Sequence, residues 1–126
     1  MRYAIFLFLL AACATQAPSP VEPPAPPPVP ATPPKQENVA IAGLMDSARN
    51  DAASGKLGSA AATLERALRI EPRNPRLWHE LAKVRLRQAD YSQAESLAAR
   101  SNTYAGSDGE LRAANQKVIS DARARR

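Results

Sequence analysis

Two amphipathic helices and the turn that joins them are encoded in residues 74–94, NPRLWHELAKVRLRQADYSQA. Asn74 is a favourable N-cap, and Pro75 suits the first helical position because its fixed φ is already helical. The apolar residues that follow recur at the spacing of one helix face: Leu77, Trp78, Leu81, Ala82, Val84 and Leu86. The same spacing returns in residues 91–101, so this stretch predicts a helical hairpin.

The same periodicity predicts three more helices around this hairpin. One apolar face runs through residues 41–52 and is ended by Gly55, and another runs through residues 57–68 and stops before Pro72. A last helix begins at SDGE, residues 107–110, where Ser107 and Glu110 have capping-box spacing, and it continues to Ala122. No stretch alternates with period two for long enough to predict a strand. Residues 38–126 are therefore expected to form an all-α domain.

These helices belong to an internal repeat. Residues 41–74 align with residues 75–108 at a period of 34, which is the length of the tetratricopeptide repeat. The second unit resembles that repeat closely, in LWHELA at 77–82 and DYSQA at 90–94, although Arg85 stands where the family usually has an aromatic residue. The resemblance implies a short helical solenoid of the tetratricopeptide type, with two helix-turn-helix repeats and a C-terminal capping helix.

The N-terminus has the features of a secretory signal. Arg2 precedes an apolar run, residues 4–10, that is too short to span a bilayer, and the LAAC of residues 10–13 follows. LAAC resembles a bacterial lipobox, which implies a signal peptide over residues 1–12 and lipidation of Cys13, with two or more acyl chains as a stable membrane anchor. Ala14, rather than an aspartate, follows the cysteine, and by the family's sorting rule this implies the outer membrane. The alternative is a plain signal peptide with a chance cysteine.

A proline-rich linker separates this N-terminus from the helices. Ten of the 12 prolines fall within residues 18–34, and proline favours extended polyproline II over helix or central strand. Residues 13–37 are therefore predicted to be a lipidated cysteine followed by a disordered Pro/Ala-rich tether, which acts as a semi-rigid spacer. A ligand for a proline-binding module is the alternative interpretation.

Composition restricts the possible functions. The formal charge is +5, from 17 basic and 12 acidic residues, which behind a secretion signal favours an acidic protein surface, anionic lipid or wall polymer over nucleic acid. His79 is the only histidine and Cys13 the only cysteine, and neither a Gly-rich phosphate loop nor paired metal-ligand spacing is present. We therefore expect no catalytic residue, no metal and no cofactor, and hence no enzyme.

The remaining function is binding. In tetratricopeptide domains the first helix of each pair lines a concave groove. By resemblance, the partner-binding residues are Asp46, Arg49, Arg76, His79, Glu80, Lys83 and Arg87. Residues 65–87 hold seven basic and three acidic side chains, so the groove is expected to be positive and to bind an acidic peptide or a carboxyl terminus. Alternatively, these charges only solvate the helices. A ligand-facing role and an inert surface position are equally open for His79.

The whole layout resembles one class of envelope protein. A lipobox, a Pro/Ala-rich tether and a very small tetratricopeptide domain, with LWHELA at 77–82 and AESLA at 94–98, resemble the small outer-membrane lipoproteins that activate a class A penicillin-binding protein. That resemblance implies a non-enzymatic, periplasm-facing activator of peptidoglycan synthesis. We expect a monomer, and self-association stays open because no capping element precedes the first helix. Two alternatives stay open: an assembly factor for a pilus or secretion complex, and an envelope protein that binds peptidoglycan itself.

Overall fold

The computed structural model describes residues 38–126, which form helices only. In chain order the five α-helices are α1 (Val39–Ala53), α2 (Leu57–Ile70), α3 (Pro75–Arg87), α4 (Tyr91–Tyr104) and α5 (Gly109–Ala124). Each helix packs against the next, and α3 contacts all four others. The predicted solenoid is confirmed, with α1–α2 and α3–α4 as the two repeats and α5 as the closing helix. The predictions for the signal peptide, Cys13 and the linker lie outside the described residues.

Side-chain caps start α3 and α5, and the sequence predicts the first of them correctly. Asn74 accepts a hydrogen bond from the Arg76 amide at 3.1 Å, with Pro75 at the first helical position. At the last helix the predicted capping box is wrong, because the cap is Asp108, whose carboxylate accepts from the Leu111 amide at 3.0 Å. Since α5 begins at Gly109, Ser107 lies one residue outside the position from which a cap can reach the helix.

The turns that end α1 and α4 use glycine for its conformational freedom. Gly55 has φ of +79° and Gly106 has φ of +55°, both in the left-handed region that side chains other than glycine seldom adopt. By its resemblance to the tetratricopeptide repeat, the second unit would close with a proline at this position, where the chain has Gly106. A proline, with φ fixed near −65°, cannot take this conformation. The departure from the family pattern therefore follows from the turn that leads into α5.

The apolar faces form two adjoining core clusters, one between α1, α2 and α3 and the other between α3, α4 and α5. Ile41, Leu64 and Leu77 are the largest apolar side chains with almost no solvent exposure. Ala60 and Ala94 are also fully buried, and their small size allows neighbouring helices to approach closely. Within residues 38–126, no helix has the length and apolar character needed to cross a membrane.

Candidate functional site

The candidate site is a groove whose floor is α3. Because α1 and α5 both contact α3 but not each other, they form the two walls of what we call the α1–α3–α5 groove. Adjoining depressions, each of roughly 220–260 Å³, run along it. All seven residues predicted from the sequence line this groove: Asp46, Arg49, Arg76, His79, Glu80, Lys83 and Arg87. The structure thus brings these residues together, while their part in binding stays a prediction.

The charge of the groove differs from the expectation. Its basic side chains are Arg49, Arg76, Lys83 and Arg87, and its acidic ones are Asp46, Glu80, Asp108 and Glu110. The predicted positive groove is therefore wrong, since four cations face four carboxylates. There are two causes. The start of α5 contributes two carboxylates, and two arginines of the basic segment, Arg69 and Arg85, line a different cleft, which is formed by α2, α3 and α4.

Glu80 is the centre of an ion-pair network in this groove. One carboxylate oxygen accepts from Nε and Nη2 of Arg49 at 3.1 and 3.0 Å, and the other accepts from Nζ of Lys83 at 3.0 Å. Oδ1 of Asp46 lies 3.6 Å from Nη1 of the same arginine. The Glu80 side chain is only 12% exposed, whereas Arg49 and Lys83 are each 49% exposed. The network links α1 to α3 and neutralises part of the groove internally.

The environment of Glu80 makes its contribution to stability depend on pH. Burial raises the pKa of this carboxyl group, but hydrogen bonds and charges from Lys83 and Arg49 outweigh burial, so the pKa lies below its usual value. A lowered folded-state pKa stabilises the fold at pH above the unfolded value of about 4.3, and the effect is lost as pH falls through the folded value.

We expect Glu80→Gln to lower the free energy of unfolding by about 1 kcal/mol at neutral pH, because it removes the ion pairs with Arg49 and Lys83. The loss is modest, since both cations are half exposed and their charges are screened by solvent. The difference from the wild type should shrink as pH falls below about 4.3. Urea unfolding followed by circular dichroism between acidic and neutral pH measures both effects. Glu110→Gln is the matched control, since Glu110 lines the same groove and forms no ion pair within residues 38–126. An equal pH-dependent loss in both variants would contradict this account.

The cations of the groove differ in how available they are. Arg49 and Lys83 are held by Glu80, and Nη1 of Arg87 donates to the Ala52 carbonyl at 2.7 Å, near the end of α1. Arg76 is exposed and forms no ion pair with any residue from 38 to 126. Its guanidinium is therefore the group best placed to meet a carboxylate of a partner.

His79 is tied to the protein interior by a chain of hydrogen bonds. Its Nδ1 lies 2.7 Å from Oδ1 of Asn115 on α5. The amide nitrogen of Asn115 donates to the Ser101 hydroxyl at 2.8 Å and to Asn102 at 2.9 Å, and Ser101 in turn donates to the Pro75 carbonyl at 2.8 Å. Because the amide nitrogen already donates to both neighbours, the amide oxygen must accept, and Nδ1 of His79 carries the donated hydrogen.

This polar chain joins α3, α4 and α5 beneath the groove. Asn115 and Ser101 are the two fully buried polar residues of the described chain. His79 is half-buried and lines the groove, so its ring is fixed by the interior while one edge is left for solvent or a partner. The sequence left a ligand-facing role and an inert surface position open for His79, and neither describes this anchoring role. Asn115 was not predicted from the sequence, although it could have been noticed as an amide side chain within the apolar face of α5.

We expect Asn115→Ala to lower the free energy of unfolding by about 1–3 kcal/mol, since His79 and Ser101 each lose a buried hydrogen-bond partner. The measurement is urea unfolding at neutral pH. Gln116→Ala removes a longer amide from the next, exposed position of α5 and should change stability little. If the two variants unfold at the same urea concentration, the polar chain does not hold α5 in place.

The lining of the groove suits the binding of another protein. In the part of the chain that the structure describes, no three histidine, cysteine, aspartate or glutamate side chains come close enough to hold a metal ion. The arrangement instead offers fixed charges of both signs beside Leu111 and Ala114. Such a surface can bind a protein segment with complementary charges, and the pattern of charges would set its orientation.

Comparisons with known proteins agree with the fold. A family model of the tetratricopeptide repeat matches residues 51–117, which is more than half of the chain. The solved structure of the globular C-terminal domain of P. aeruginosa LpoP is 41% identical, with a TM-score of 0.70, and the similarity covers 71% of this chain and 85% of that domain. No curated protein matches the chain. With the repeat, the five helices and this relative in agreement, the chain belongs to the tetratricopeptide repeat family.

Proposed function

We propose that this protein is a non-enzymatic lipoprotein that activates a class A penicillin-binding protein through its tetratricopeptide domain. The observation that carries the proposal is the 41% identity to the C-terminal domain of LpoP, over 85% of that domain. The N-terminal layout supports it, since a lipobox and a proline-rich tether precede the domain, as in the activator lipoproteins that the sequence resembles. In this proposal residues 1–12 are the signal peptide, residues 13–37 the lipidated tether and residues 38–126 the binding domain.

The tether gives the proposed location a physical purpose. An extended proline-rich segment rises about 3.1 Å per residue, so residues 18–34 would reach roughly 50 Å from an outer-membrane anchor. The domain would then face the periplasm and contact a synthase held in the inner membrane. In this proposal the protein acts as a monomer. It carries no cofactor, because its role is binding and not catalysis.

We propose that the partner binds the α1–α3–α5 groove. Arg76 offers a guanidinium that forms no ion pair within residues 38–126, and Arg87 is exposed at the far end of α3. Glu80 keeps Arg49 and Lys83 in fixed positions, so a partner meets a prearranged pattern of charges. Because the groove carries both signs, its charges select the orientation and identity of the partner more than they raise general attraction.

The test is the rate of glycan-strand synthesis by a purified class A penicillin-binding protein from the same organism. We expect the wild-type chain to raise this rate, and the double variant Arg76→Glu with Arg87→Glu to need at least about tenfold more protein for the same effect, since charged groups at a binding surface act strongly when reversed. Lys83 is left in place, because reversing it would bring a second carboxylate against Glu80.

The matched control is Arg66→Glu with Arg112→Glu. Both arginines are exposed, the change in net charge is the same, and neither residue lines the groove. This control should activate like the wild type. A wild-type chain that leaves synthesis unchanged would contradict the proposed function, whereas equal activation by both double variants would contradict the groove as its site.

A further inference from the structure

A second concave surface lies between α2 and α4. These two helices contact α3 but not each other, which leaves a cleft of about 560 Å³ that we call the α2–α4 cleft. It is larger than any single depression of the α1–α3–α5 groove and has its own lining. Its floor and walls are partly apolar, with contributions from Leu68, Leu81 and Leu97.

The charge of this cleft is predominantly positive. Arg69, Arg85 and Arg100 line it, against one carboxylate, that of Glu65. Glu65 accepts from Nη2 of Arg85 at 2.6 Å, whereas Arg69 and Arg100 form no ion pair with any described residue. The positive surface that the basic segment predicts is therefore present, but in this cleft.

Arg85 adds a second feature. It occupies a position where the repeat usually has an aromatic residue, and its buried Nε has no hydrogen-bond partner within residues 38–126. Its Nη1 donates to Gln88 at 2.9 Å. Gln88 and Glu65 thus hold the Arg85 guanidinium at the cleft, where it adds a fixed positive charge to the lining.

An aromatic side chain is held rigidly at the same place. The indole N–H of Trp78 donates to the Pro72 carbonyl at 2.8 Å, which fixes the ring plane. The guanidinium of Arg100 lies 4.9 Å from the centre of this ring, in a cation–π contact that orients its outward donors. Tyr104, which like Arg100 is on α4, also lines the cleft. Tryptophan, tyrosine and arginine are the residues that dominate binding energy in protein interfaces.

We propose that the α2–α4 cleft is a second protein-binding site, which takes an acidic segment carrying a large apolar side chain. The apolar side chain would pack against Trp78 and Leu97, and carboxylates on either side would pair with Arg69 and Arg100. Two features of the cleft determine the chemistry of the segment that it would bind. Its lining has three guanidinium groups against one carboxylate, and the Trp78 ring is held in a fixed position. This site is separate from the groove in the proposed function, so the domain would hold two partners, or two segments of one partner, at once.

The test starts with selection of binding peptides from a random display library on the full chain, purified in detergent. We expect enrichment of peptides that combine aspartate or glutamate with an aromatic or large aliphatic residue. Binding is then measured by the fluorescence of Trp78, the only tryptophan of the chain, which lies in the cleft. Occupancy should shift its emission and shield it from iodide, and replacing the peptide's carboxylates by amides should abolish the shift.

Two double variants place the site. Arg69→Glu with Arg100→Glu should weaken peptide binding by at least about tenfold, whereas Arg76→Glu with Arg87→Glu, on the groove, should leave it unchanged. All four arginines are exposed, so both variants should keep the helical circular dichroism spectrum. The proposal is overturned if no acidic–apolar peptide is enriched, if Trp78 emission does not respond, or if the groove variant is the one that loses binding. None of these outcomes bears on activation of a synthase.

Discussion

A Cys13→Ala chain is expected to be lost from the outer-membrane fraction of cells. The only cysteine lies within LAAC, at the end of the predicted secretory signal, and no helix of residues 38–126 is long and apolar enough to cross a membrane. In the proposed protein the acyl chains on Cys13 are the anchor, each contributing about 0.8 kcal/mol per buried CH₂ group. Without them, nothing in the proposal holds the domain at the outer membrane. Membrane fractionation with an antibody against the chain is the measurement.

Ala14→Asp is the informative control for this prediction. It keeps Cys13 and hence the proposed lipid, but it introduces the residue that the family's sorting rule associates with retention in the inner membrane. We expect this variant to incorporate labelled palmitate like the wild type while it moves to the inner-membrane fraction. A wild-type chain that carries no palmitate and is recovered as soluble periplasmic protein would contradict both the anchor and the proposed location.

The helices could be predicted because their signals are local. Asn74 and Pro75 start α3, Gly55 follows α1, and the apolar spacing defines one face of each helix, so neighbours within a few residues contain the information. The internal period of 34 then placed the helices in hairpins. The capping box at the start of α5 failed for a local reason as well, since Asp108 and Ser107 are adjacent capping residues and only the geometry shows which one the helix uses.

The charges of the two surfaces could not be predicted from sequence position. Arg69, Arg76 and Arg85 lie within one basic segment, yet the first and last line the α2–α4 cleft and Arg76 lines the groove. Which side a charge faces depends on how whole helices pack together. Two of the four carboxylates that balance the groove, Asp108 and Glu110, lie more than twenty residues beyond this segment.

The polar chain under the groove is a second feature that could not be predicted from the sequence. His79 and Asn115 are 36 residues apart and on different helices, so no local pattern links them. An amide among the apolar residues of α5 predicts a buried polar contact, because buried polar groups need partners, but it does not identify the partner. The same holds for Trp78, which has apolar spacing in α3 but whose ring lines a cleft beside Arg100.

Leu77→Ala is expected to cause the largest loss of stability among the substitutions proposed for residues 38–126. Leu77 is fully buried on α3 within the cluster formed by α1, α2 and α3. Truncation removes apolar contacts and leaves a cavity, which costs about 2–5 kcal/mol. For a domain this small that is a large share of the total, since natural domains are stable by only about 5–15 kcal/mol. Urea unfolding followed by circular dichroism is the measurement.

Leu86→Ala is the matched control, the same truncation near the other end of α3, where the side chain is only half-buried. It should cost clearly less, because the lost burial is smaller and solvent can enter the space that is left. The comparison also tests the architecture. If the two repeats form one cooperative unit, the Leu77→Ala chain should unfold all five helices in one transition at a lower urea concentration. A first transition that leaves half of the helical signal intact would mean that the repeats fold independently.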